Sequence, residues 1–208
     1  MTIVEIIKTC VSRGLSVLCA SFTNSAVDNV LSKLSKSNST NSSTNKTKIL
    51  RLGRVTAMHP EIRHLSEHEL TRKYNNPEDL ENFYKSCDVV GATCLGADHP
   101  LFKWKQFDLC IIDEASQILE PLCFAPIFKT RRFLLVGDYK QLPPLVTSEK
   151  SKTDFKSDIS LFERLAKRYP HAVSTLKLQY RMDRQIMELA NHLIYTLILK
   201  YDKGEILK

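Results

Sequence analysis

Leu109-Cys110-Ile111-Ile112 runs straight into Asp113-Glu114-Ala115-Ser116-Gln117, an apolar strand pattern ending in two adjacent acids. In an open α/β sheet, ligands gather at the carboxyl ends of the strands, which is where these two carboxylates fall. Bringing two like charges to that edge is unfavourable unless a cation or a catalytic task offsets the desolvation. A nucleotide site supplies both. One acid holds a magnesium ion, directly or through water, and the other takes the proton from an attacking water. The plainer reading is an acidic helix start, since acids favour helix N-termini.

Working outward, apolar runs alternate with helical patterns. Residues 2–13 carry Ile3, Ile6, Ile7 and Cys10 on one helical face, with Gly14 as a stop. Leu15 to Ala20 reads as a buried strand. Ser25 is placed to cap a second helix with Val27, Val30, Leu31 and Leu34 on its apolar face. Residues 37–47 are nearly all Ser, Asn, Thr and Lys, too polar to bury, and read as a solvated loop. Lys48 to Leu52, Asp88 to Ala92, Phe107 to Ile112 and Arg132 to Val136 are further strand candidates. The segment 59–86 is polar, with a helix expected from Pro77. Leu161 to Arg168 and Arg184 to Ile194 read as helices, and Thr175 to Leu178 as a strand. The alternation predicts an α/β layer around a mostly parallel sheet.

Two more blocks bear on the chemistry. Phe133-Leu134-Leu135-Val136 leads into Gly137-Asp138-Tyr139-Lys140-Gln141-Leu142-Pro143-Pro144. Gly137 permits a tight strand exit, and the proline pair stiffens the chain after Gln141. A neutral amide on a stiff loop can register a terminal phosphate or orient water; a plain strand-exit turn is the alternative. Gln179-Tyr180-Arg181-Met182 sets an aromatic ring beside a guanidinium. The ring can stack on a base, and the planar fork can stabilise charge on a transferring phosphoryl group. Alone, the pair would be read as ordinary surface.

Composition is compatible with this reading. The 208 residues are 43% hydrophobic and 25% charged, enough for a core. The net charge of +7 favours polyanionic partners. No run approaches the roughly 18 apolar residues of a membrane span, and the N-terminus lacks a secretory pattern. The six cysteines form no Cys-x-x-Cys pair and read as reduced core thiols.

In order, the blocks Ser21–Asp28, Asp113–Gln117, Gly137–Pro144 and Gln179–Met182 resemble those of a superfamily 1 helicase. The resemblance is closest to the eukaryotic DNA replication ATP-dependent helicase/nuclease family. It continues through Arg51-Leu52-Gly53, Ala92–Gly96, His99-Pro100 and Arg131-Arg132-Phe133, and covers most of residues 2–195. It implies a RecA-like P-loop NTPase-type parallel sheet, incomplete at both ends. Residues 1–174 would form a first motor domain, with a polar insertion at about 37–47 and a polar helical insertion at about 54–86. Residues 175–208 would begin a second motor domain. The resemblance also implies ATP and magnesium as cofactors, single-stranded DNA as partner, and a nuclear role in DNA replication and repair.

The residue roles implied are specific. Asp113 coordinates magnesium, Glu114 is the general base and Gln141 senses the γ-phosphate, in the loop opened by Gly137 and Asp138. Tyr180 stacks near adenine and Arg181 acts as an arginine finger. Thr23, Asn24 and Thr93 lie in segments lining the single-strand track. Ser, Thr and Asn can bond phosphates without reading sequence, though capping and turn formation use the same side chains. RNA helicases of nonsense-mediated decay share the blocks, so the choice of DNA rests on the intervening text.

The sequence departs from this family in two respects, the phosphate-binding loop and the later motifs of the second motor domain, the family's second arginine among them, none of which is found. No Gly-x-x-x-x-Gly-Lys-Ser/Thr occurs, and the position expected for that loop falls at Met1. Gly91 and Gly96 have the spacing, but Ala97 and Asp98 follow. Hydrolysis by residues 1–208 alone is therefore expected to be severely impaired. The expectation is a fragment of a longer motor, with a non-catalytic single-strand-binding or interaction module and a related RNA helicase as the alternatives. His64-Leu65-Ser66-Glu67-His68 also matches a zinc-peptidase pattern, with a solvated helix face the plainer reading.

Overall fold

The computed structural model describes residues 2–40, 46–148 and 158–201. The chain divides into two compact units, Met1–Glu163 and Arg164–Lys208.

The first unit is built on five parallel strands: β1 (Val17–Ser21), β2 (Ile49–Arg51), β3 (Val89–Thr93), β4 (Phe107–Asp113) and β5 (Thr130–Leu135), in the order β2-β3-β1-β4-β5. The α/β parallel-sheet expectation holds. Side chains alternate across the sheet. On one face Val17, Cys19, Ile49, Val89 and Ile111 form a core with α1 (Thr2–Ser12) and α2 (Asn24–Thr40). The second helix contributes Val27, Val30, Leu31 and Leu34, the four residues its periodicity singled out, all buried. Leu18, Ala20, Val90, Ala92, Cys110 and Ile112 alternate with the first set and are equally buried. Burial of both faces explains why these strands read as continuous apolar runs.

The strand bounds of this unit fall within two residues of expectation, and both ends of α2 differ from it. Gly14 ends α1 as its backbone permits, with φ +74°. The cap of α2, however, is Thr23 and not Ser25: the Ala26 N–H donates to Thr23 Oγ1 at 3.3 Å, and Ser25 lies inside the first turn. Residues 37–40 continue α2 although they belong to the polar run. Extending an existing helix costs far less than nucleating one, and the Asn38 side chain ties this end to the Thr47 backbone, donating to its carbonyl at 2.9 Å. Residues 41–45 of that run lie outside the described residues.

Between β2 and β3 the chain makes two 3-10 turns, Val55–Ala57 and Pro60–Leu65, then α3 (Glu67–Thr71) and α4 (Pro77–Ser86). Ser66 caps α3 and Asn76 caps α4. This segment is anchored: Met58, Ile62 and Tyr84 are buried. Tyr84 stacks on Trp104 and donates its hydroxyl hydrogen to Glu67, whose other oxygen lies 3.0 Å from His99 Nε2. The zinc-peptidase pattern is broken, since His64 lies in a 3-10 turn and His68 in α3, with Ser66 between as a cap. Among the described residues no cluster of three or more His, Cys, Asp or Glu could hold a metal. All six cysteines are free, and five are buried. Beyond β3 come α5 (Leu101–Trp104) and, after β4, α6 (Glu120–Ile127).

The second unit takes over within α7 (Leu161–Arg168). It contains β6 (Leu178–Gln179) paired in parallel with β7 (Lys200–Tyr201), and between them α8 (Arg184–Ala190), capped by Asp183. Only Leu178 of the expected strand Thr175–Leu178 enters the ladder, because β7 offers two partners. The helix expected over 184–194 is α-helical to Ala190 and continues as a π-turn over Asn191–Tyr195. The Asn191 amide leaves the helix pattern to bond the Leu199 backbone in both directions, at 2.8 and 2.9 Å. Among the described residues no helix is long and apolar enough to cross a membrane.

Candidate functional site

Parallel pairing puts the ends of β3, β1 and β4 level with one another. Thr93 is in register with Ser21, and Ser21 with Asp113. With strands about 4.8 Å apart, that line spans roughly 10 Å along the carboxyl edge of the sheet. The residues just beyond β1, Thr23 and Asn24, open α2 at the same edge. Thr23 is exposed and Asn24 half-buried.

Asp113 closes β4. Its backbone carbonyl accepts from Ser21 Oγ at 3.0 Å, and its Oδ1 accepts from the Glu114 N–H at 3.0 Å. Burial pushes its carboxyl above the ordinary carboxylate range, partly offset by that N–H and by the charge of Lys33. Glu114 takes a left-handed backbone, φ 54° and ψ 35°. For a residue with a β-carbon this is uncommon, and such strain concentrates where geometry serves chemistry. The exposed Glu114 carboxylate accepts from Gln117 Nε2 at 3.1 Å.

The loop after β5 is fastened directly to this turn. Val136 donates to the Ile112 carbonyl and accepts from the Ala115 N–H, both at 2.8 Å. Gly137 passes so near that an added β-carbon would lie 2.9 Å from the Ser116 backbone nitrogen. Next, the Asp138 N–H donates to Ser116 Oγ at 3.3 Å. Asp138 then organises the rest: its Oδ1 accepts from the Lys140 N–H at 3.0 Å and its Oδ2 from Gln141 Nε2 at 2.9 Å. With its nitrogen engaged, the Gln141 amide has its oxygen left to accept. Asp113, Glu114, Gly137, Asp138 and Gln141 thus form one bonded patch at the β4–β5 edge.

Tyr180 and Arg181 belong to the second unit. There the Gln179 side chain stitches a turn, its Oε1 accepting from the N–H groups of Arg181 (3.0 Å) and Met182 (2.7 Å) while its Nε2 donates to the Met182 carbonyl (2.9 Å). The turn leaves Arg181 exposed and Tyr180 73% exposed.

The sequence did not single out Ser116, Gln179 or the buried Arg51 as individual residues. Ser116 and Gln179 stood inside recognised blocks, which was the available signal. Arg51 stood in a strand pattern, where an arginine between apolar neighbours hints at a buried ion pair.

The AAA domain family model matches residues 1–81 and 69–149, and a second AAA domain model matches residues 157–206. The chain is 46% identical over 195 residues to the DNA replication ATP-dependent helicase/nuclease DNA2 of Gallus gallus, covering 93% of this chain and 18% of that protein. The Homo sapiens DNA2 is 45% identical over 196 residues, covering 93% and 17%. The Saccharomyces cerevisiae DNA2 is 40% identical over 207 residues, covering 98% and 13%. The chain therefore spans less than a fifth of these relatives. With the matched models extending over residues 1–149 and 157–206, the chain belongs to the AAA domain family.

Proposed function

We propose that this chain is part of an ATP-dependent DNA helicase of replication and repair, coupling ATP hydrolysis to movement along single-stranded DNA in the nucleus. The observation that carries the reading is the bonded patch at the β4–β5 edge, where the acidic pair and the glutamine loop hold each other in place. The similarity to replication helicase/nucleases agrees with it.

The donor set fits magnesium. Asp113 is a partly desolvated carboxylate, and burial raises its pKa more than the Glu114 N–H and the Lys33 charge lower it. A hard cation at that oxygen would remove the penalty, and magnesium commonly takes only one or two carboxylates, the rest of its shell being water and phosphate. When bound, the ion would neutralise charge on the transferring phosphoryl group.

The chain's own residues divide the remaining work. Glu114, exposed on its left-handed turn, accepts the proton of the attacking water. Gln141, its nitrogen held by Asp138, directs its amide oxygen to that water and so reports the γ-phosphate. Gly137 and Asp138 shape the loop. In the second unit, Tyr180 stacks near adenine and Arg181 supplies charge to the transition state. Thr23, Asn24 and Thr93 give neutral contacts to the DNA backbone.

ATP turnover by the native protein carrying this sequence, with and without oligothymidylate, tests the reading. Turnover should rise with the strand. Arg181→Ala should lower it by roughly 10³-fold, and Glu114→Gln by at least about 10²-fold. Normal turnover in both variants would sink the site assignment.

A further inference from the structure

Arg51 is wholly buried, ends β2, and spends its guanidinium on two side chains one turn apart in α2 and on the carbonyl of its own neighbour, Leu52. Its Nε donates to Asp28 Oδ1 at 2.8 Å, its Nη1 to the Leu52 carbonyl, and its Nη2 to Asn24 Oδ1 at 2.8 Å. Asp28 is itself almost fully buried, and its second oxygen accepts from the His59 N–H at 2.7 Å. The arginine is thus fixed on three sides and cannot swing away.

Such a clamp has a chemical consequence for Asn24. A guanidinium only donates, so the amide must turn its oxygen toward Arg51. Its Nδ2 is then the outer end, and no described residue accepts from it. A freely rotating asparagine at the opening of α2 would offer donor and acceptor in turn. This one keeps its oxygen on Arg51 and its donor at the other end.

We infer that Arg51 is a positioning residue, which locks the Asn24 amide so that its Nδ2–H group faces an acceptor on nucleic acid, a phosphate oxygen above all. The inference rests on the single-strand track proposed above. It adds a reason why the track takes a polyanion without reading sequence: a donor of fixed polarity bonds any phosphate and repels none. It also gives the Arg51–Asp28 pair a task other than stability, which buried ion pairs supply poorly.

The test measures fluorescence anisotropy of labelled oligothymidylate with the 208-residue chain, alongside thermal melting. Asn24→Asp keeps an acceptor for Arg51, so the melting temperature should hold, while affinity should fall about tenfold or more because the outward donor becomes a carboxylate oxygen. Arg51→Lys should weaken binding as well, since one ammonium cannot hold all three acceptors. In an Asn24→Ala background Arg51→Lys should cause no further loss. Unchanged affinity in Asn24→Asp overturns the inference, and so does an equal loss from Arg51→Lys in both backgrounds, which would mark a purely structural arginine. If Arg51→Lys fails to fold, Asn24→Asp decides alone. A parent chain that binds no oligothymidylate removes the proposed track, and this inference with it.

Discussion

Gly137 and Ser116 lie so close that a β-carbon on the glycine would come within 2.9 Å of the serine's backbone nitrogen and 3.1 Å of its hydroxyl. The acidic turn and the glutamine loop therefore meet backbone to backbone, with no room between them.

Gly137→Ala should force those two loops apart, because the nearest atom is main chain and cannot rotate away. We expect a loss of about 1–3 kcal/mol, the usual range for overpacking, seen as a lower melting temperature. Turnover by the native protein should fall further than stability does, since Glu114 and Gln141 lose their common anchor.

Asp113→Asn should do the opposite to stability. The folded carboxyl titrates above its ordinary value of 3.8, so the native state binds that proton more tightly than the unfolded chain. Its ionised form therefore costs stability above the raised value, and the cost disappears as pH falls below the ordinary one. The asparagine variant should melt higher than the parent at neutral pH, with the gain vanishing in acid, while ATP turnover is lost. A variant that melts lower at pH 7 would contradict this account of Asp113.

The Glu67 cluster tests linkage of the other sign. Burial pushes its carboxyl up, but hydrogen bonds from His99 and Tyr84 outweigh burial and hold it below its ordinary value of 4.5. Its contribution is fully present above that ordinary value and is lost as pH falls through the depressed one. Tyr84→Phe should cost about 1 kcal/mol at neutral pH, the scale of a hydrogen bond to a charged group that water partly reaches. Denaturant titrations at pH 7 and in strong acid should show the difference between variant and parent shrinking in acid.

Thiol chemistry should follow burial. Burial pushes Cys19 and Cys94 up to about 12, and Cys87 and Cys123 up to about 11. Alkylation of the folded chain at pH 8 should therefore give a single adduct, on half-buried Cys10. Mass spectrometry should find all six modified once denaturant is added.

Much of the first unit was readable because each element carries its own period. Val27, Val30, Leu31 and Leu34 announce a helix face, and Leu109 to Ile112 announce a strand buried on both sides. The turn at Asp113–Gln117 and the loop at Gly137–Pro144, which the structure joins, were readable as blocks from their residue types. What escaped depends on partners far along the chain. Thr23 displaced Ser25 as a cap by the geometry of the strand exit, which residue type alone does not reveal. The clamp on Asn24 comes from an arginine 27 positions later. The turn presenting Tyr180 and Arg181 depends on a side chain folding back on its own backbone, and residue order does not show which way Gln179 points.

The backbone at Glu114 carries a last implication. In the first unit no other described residue with a β-carbon has positive φ, and the conformation costs on the order of 1 kcal/mol. Glycine would adopt that turn freely, so a search for sturdier molecules that scored only resistance to heat would drift toward replacing the glutamate. Its first success would be a better-folded protein stripped of the carboxylate proposed to accept the proton.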